Sequence, residues 1–124
     1  MKKLGIATLV FAAMSLAGDV SGTWAGDMEM KREGETRPNT AHLVLSQTGN
    51  EIKGSVGPRA DKQMPITKGT VNGSEIILEA KVPDKDARMI FNLKIDGEKL
   101  SGTLRAEGPG APDMIGTMTL SRMK

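Results

Sequence analysis

The chain has 124 residues, 17 Lys and Arg against 15 Asp and Glu, a single His and no Cys. That length suits one domain, and the near-balanced charge excludes the basic stripe that nucleic acid demands. Without cysteine there is neither a disulfide frame nor a thiolate metal site, so the core has to suffice alone.

The N-terminus reads Met1-Lys2-Lys3, then an apolar run from Leu4 to Met14, then Ser15-Leu16-Ala17. A positive start, a short apolar stretch and a small-x-small site describe a secretory signal peptide over residues 1–17, cut after Ala17. The run is too short for a spanning helix, which needs about 20 apolar residues. No Cys follows it to carry a lipid. Cleavage removes two of the 17 basic residues and none of the 15 acidic ones, leaving 15 of each in the remaining 107 of the 124. The expectation is an exported protein, periplasmic or secreted. It has one domain over 18–124 and no integral membrane segment after cleavage.

Beyond the leader, period-two alternation predicts eight strands near 21–30, 41–48, 51–57, 64–72, 75–82, 88–96, 99–107 and 114–123. Strand 6 places Met89, Phe91, Leu93 and Ile95 on one face and Asn92, Lys94 and Asp96 on the other. One apolar face per strand means antiparallel pairing over a core. The mature chain contains no amphipathic helical pattern. In strand 4, Ile66 and Val71 differ in parity and can share a face only across a bulge near Lys68-Gly69.

Thr48-Gly49-Asn50-Glu51, Asn72-Gly73-Ser74-Glu75 and Asp96-Gly97-Glu98-Lys99 supply tight hairpin turns. The other connections, Lys31–Asn39, Pro58–Gln63, Pro83–Ala87 and Gly108–Asp113, read as longer loops with all six prolines in or beside them. In an up-and-down meander one end then carries tight turns and the other long loops. Gly-(Ser/Thr)-apolar recurs at Gly22, Gly54, Gly69, Gly102 and Gly116, placing small inward residues where a sheet must coil to close. Closure would remove the two edges of an open meander. Trp24 at the start of strand 1 and Arg122 at the end of strand 8 are partners for it, the guanidinium stacking on the indole.

With Gly22-Thr23-Trp24 opening strand 1 and Arg122 late in the chain, the sequence resembles the lipocalins and the wider calycin group. The resemblance implies an all-β, eight-stranded antiparallel up-and-down barrel, with Trp24 and Arg122 as a structural latch and a ligand mouth at the long-loop end. The chain is shorter than a typical lipocalin and has no candidate for the usual C-terminal helix. Avidins share the barrel and a comparable opening, but their pocket uses several Trp, and this chain has one.

Candidate chemistry is sparse. His42 lies between inward-reading Ala41 and Leu43, so it faces solvent with nothing to orient it as a base. Asp84 and Asp86 lie in a loop beside Lys85 and Arg88, solvated and partly neutralised. No calcium-loop or zinc spacing occurs, and no cofactor is implied. Met28 and Met30 put two thioethers on the face of Trp24, a donor set that suits Cu(I), although Met is also a common core filler. The leading expectation is non-catalytic binding of a small apolar ligand inside the barrel. Met30, Leu43, Leu45 and Met89 would line the site, with Phe91, Leu93, Leu104 and Met118 completing it. The second is a fully packed barrel acting as an envelope interaction module with a protein partner. Met-based copper binding is third.

Overall fold

The computed structural model describes residues 19–123 apart from 33, 84, 112 and 113; the expected signal peptide lies outside the described residues. Eight strands follow in chain order: β1 (Gly22–Arg32), β2 (Glu35–Thr48), β3 (Glu51–Arg59), β4 (Lys62–Asn72), β5 (Glu75–Lys81), β6 (Arg88–Asp96), β7 (Lys99–Glu107) and β8 (Met114–Arg122). Each pairs antiparallel with the next, and β8 pairs with β1 to close an up-and-down barrel. The all-β barrel read from the alternation is the observed fold.

The alternation fixes which face is inside. In β5, Ile76, Leu78 and Ala80 are buried while Glu75 and Ile77 are exposed. Burying each such Leu or Ile contributes about 1.5–3 kcal/mol before chain entropy is subtracted. Trp24, Leu43, Val56, Leu100 and Leu120 extend the same inward layer around the barrel. One outward residue is also buried: Ile90 lies in register between Glu79 and Arg105. Arg88 bridges Glu79 at 3.6 Å and Glu107 at 3.2 Å, and Arg105 meets Glu107 at 2.8 Å. Ile90 is thus flanked by paired residues with long apolar stems, the kind of neighbour that shields an outward side chain from water.

The three tight turns close as two-residue loops, with Thr48 opposite Glu51, Asn72 opposite Glu75 and Asp96 opposite Lys99. Each has its glycine at a φ between 61° and 64°. The parity conflict in strand 4 resolves as expected. Ile66 pairs with Ala80 but Lys68 with Glu79, so one extra residue is accommodated on β4.

Two of the four long connections are not loops. β1 and β2 stay paired out to Arg32 opposite Glu35, and β3 and β4 to Arg59 opposite Lys62. Pro38, Pro58 and Pro65 therefore lie inside strands. The physical reason is that each sits where its strand lacks one neighbour. The β2–β3 ladder begins only at His42 opposite Gly57, and the β4–β5 ladder only at Ile66 opposite Ala80. A strand with one free edge loses little to a missing N–H. The described residues of the segments 82–87 and 108–113 remain connections outside strands.

Candidate functional site

The two ends of the barrel differ. At the tight-turn end, Val20 lies fully buried under the base. Its N–H donates to Gln47 Oε1 at 2.9 Å, and Trp24 Nε1 donates to the Val20 carbonyl at 3.0 Å. Arg122 is in register with Trp24, its guanidinium carbon 4.4 Å from the ring centroid. Its nitrogens donate to the Ser21 carbonyl, to the Asp19 carbonyl at 3.2 Å and to Glu98 Oε2 at 2.6 Å. The segment 19–21 is thus drawn across the floor and held by the strand that closes the barrel. Val20 and Gln47 were not singled out from sequence, because a lone Val near the chain's apolar leader run and a Gln near a strand end carry no local pattern.

Asp19 has its carboxyl held below the ordinary value of 3.8, first by the Ser21 backbone N–H and side chain and then by Arg122, against a small desolvation cost. Glu107, outside the barrel, is lowered chiefly by its bond from Arg105, with Arg88 adding charge. Neither borders the interior cavity.

At the opposite end the interior is open. A cavity of about 690 Å³ enters the barrel between the β1–β2 and β3–β4 hairpins and the segment that follows β5. Its volume falls within the roughly 300–1,000 Å³ typical of small-molecule pockets. Among its lining residues, β1 contributes Met28 and Met30 and β2 contributes Ala41 and Leu43. Gly57 and Met64 come from β3 and β4, Met89 and Phe91 from β6, Leu104 from β7, and Met114 and Met118 from β8. Charged and polar side chains stand only at the rim: Arg32, Glu35, Arg37, Asn39 and Lys85. Glu35 and Arg37 pair there at 3.4 Å, both mostly exposed, a contact worth under about 1 kcal/mol. Among the described residues no buried side chain is polar or charged.

Of the eight interior residues named from sequence, Met30, Leu43, Met89, Phe91, Leu104 and Met118 border this cavity. Leu45 and Leu93 do not; they lie deeper, in the filled core at the tight-turn end. Their alternation was right, but alternation says which face a residue is on and not how far along the barrel axis it sits. Met64 and Met114 border the cavity and were missed. Met114 shares parity with Met118 and was legible; Met64 was obscured by the bulges in β4. His42 is half-exposed on the outer face, and its carbonyl accepts a bond from Gln63 Nε2 at 2.9 Å.

No family model matches the sequence, and comparison with curated proteins gives no match. Among solved structures, the chain is similar to a protein of unknown function from the DUF3598 family of Nostoc punctiforme, with a TM-score of 0.55 at 11% identity. The alignment covers 84% of this chain and 48% of that one, so this chain spans about half its length. At that identity the likeness concerns the fold alone.

Proposed function

We propose that this is an exported, non-catalytic binding protein that takes a small apolar ligand into the open end of its barrel, in the manner of the calycins it resembles. The observation that carries the reading is the asymmetry of the interior. The tight-turn half is filled with side chains, while the other half holds about 690 Å³ of space walled by apolar groups and reached from solvent. Transfer of an apolar molecule from water into such a space is favourable in proportion to the area covered. Polar side chains confined to the rim fit a ligand whose polar end, if it has one, stays at the mouth. A barrel filled along its whole length would favour the interaction-module reading instead, and the space at the mouth weighs against it.

The test is binding of the apolar fluorophore N-phenyl-1-naphthylamine to the full chain and to Met64→Trp. Met64 is half-buried at the mouth, so an indole there occupies the cavity without entering the packed base. The expected result is saturable binding to the parent chain and its loss in the variant at unchanged melting temperature. Equal binding by both, or none by the parent, overturns the reading.

A further inference from the structure

The methionines of the barrel are segregated. Met28, Met30, Met64, Met89, Met114 and Met118 all border the cavity, and Met123, past the end of β8, is the one other methionine among the described residues. The filled half of the core uses Trp24, Leu45, Ile52, Ile76, Leu100 and Leu120 and residues like them, with no thioether. The open end thus gathers the polarizable, adaptable thioethers, and the filled end the branched and aromatic side chains.

Four of the six are brought together by one seam. In the β1–β8 ladder Met28 is opposite Met118, Met30 is opposite Gly116, and Arg32 is opposite Met114. Met28, Met30, Met114 and Met118 therefore share the inner face of two paired strands, where opposite residues have Cβ atoms about 4.5–5.5 Å apart. Gly116 supplies the space. The Met30 sulfur lies 2.7 Å from where a Cβ on residue 116 would stand. It is thus folded flat onto β8, between the positions of Met114 and Met118 along that strand. Any larger residue at 116 would displace it.

We propose that this seam is a binding site for a soft monovalent metal ion, Cu(I) or Ag(I), ligated by the thioethers of Met28, Met30 and Met118, which the Met28–Met118 register and the space over Gly116 bring together. Thioethers are neutral, polarisable donors that select Cu(I)-like ions over hard or borderline divalent ones. Among the described residues no group of three or more His, Cys, Asp or Glu stands ready to hold a metal, so the donor set selects against zinc or calcium. Met28 and Met118 are directly opposite and Met30 is one strand step from Met28 on the same face, so these long, unbranched side chains can turn their sulfurs toward one point, whereas Met114, four residues from Met118 along β8, stays outside the set. The site goes beyond apolar ligand binding and needs only these three sulfurs.

The test is titration of the full chain, carrying 13C-methyl methionine, with silver nitrate, and with Cu(I) in ascorbate against a bicinchoninate competitor. The expected result is saturation at a single site, with the methyl signals of Met28, Met30 and Met118 moving and that of Met123 unmoved. The double variant Met28→Leu, Met118→Leu keeps apolar volume while removing two sulfurs. It is expected to weaken silver binding by about tenfold or more while still taking up N-phenyl-1-naphthylamine. No silver binding, unchanged silver binding by the double variant, or an equal shift at Met123 overturns the proposal. Loss of fluorophore binding with silver binding intact would count against the apolar-ligand reading alone.

Discussion

At the scale of single residues, the floor of the barrel depends on Trp24 and Arg122. Trp24 fills the base and donates to Val20, and Arg122 covers its ring while reaching the Ser21 and Asp19 carbonyls and Glu98. Trp24→Ala leaves a cavity and strands the Val20 carbonyl, and is expected to destabilise the fold by about 3–5 kcal/mol. Arg122→Ala removes the stacked cation and uncaps two carbonyls at a quarter-exposed site, for about 1–2 kcal/mol. Arg122→Lys falls between the parent and Arg122→Ala, because an ammonium keeps the charge but cannot serve several acceptors in one plane. Chemical denaturation of the three variants checks this order; wild-type stability in Arg122→Ala would show that the closing strand holds without it. This pair was legible from Gly22-Thr23-Trp24 and the late Arg. Its third member, the buried Val20, was not.

At the scale of elements, the hairpins at the mouth decide the shape of the site. The tip of the β3–β4 hairpin, beyond Gly57 on one strand and before Ile66 on the other, has no ladder partner in β2 or β5. Two side chains tie it down: Thr40 Oγ1 donates to the Pro58 carbonyl at 2.7 Å, and Gln63 makes the larger set of bonds. Its amide donates to the His42 carbonyl at 2.9 Å and the Arg59 carbonyl at 2.8 Å, and accepts from Ser55 Oγ at 2.7 Å. Gln63→Ala is expected to speed amide exchange in residues 58–64 by about tenfold, while the exchange of β5–β7 stays at the wild-type rate. Unchanged protection at the tip would show that backbone pairing and the Thr40–Pro58 bond hold it without Gln63. Proline content made these segments read as loops. The prolines are tolerated in strands because the ladders on either side stop short, a property of strand lengths across the sheet that no local window contains.

At the scale of the whole molecule, stability and cavity follow from one sheet closed on itself. Leu43 and Leu45 are two residues apart on one strand face, yet one borders open space and the other lies in the filled base. The space opens where Ala41 offers little volume and the two hairpins part. Acid stability is likewise a sum over the molecule. Asp19 and Glu107 both have folded-state pKa values below their ordinary ones. Each therefore adds stability that is complete above its unfolded value and is lost as pH falls through the lower, folded value. The melting temperature is expected to fall from about pH 5 toward about pH 3 more steeply in the parent than in the double variant Asp19→Asn, Glu107→Gln. Both groups are mostly solvent-screened, so the difference is small; identical profiles would place the acid sensitivity elsewhere.

The sequence by itself determined the eight strands, their inward faces, the three glycine turns, the bulge in β4 and the partners of the closing seam. All of these are encoded in alternation, turn chemistry or a short motif, which are local. Only the tertiary structure decided which inward side chains meet one another and which meet a void. It also decided that Met28, Met30, Met114 and Met118 share a seam with Gly116. Those facts depend on the register of strands far apart in the chain and on how barrel closure distributes side-chain volume along its axis.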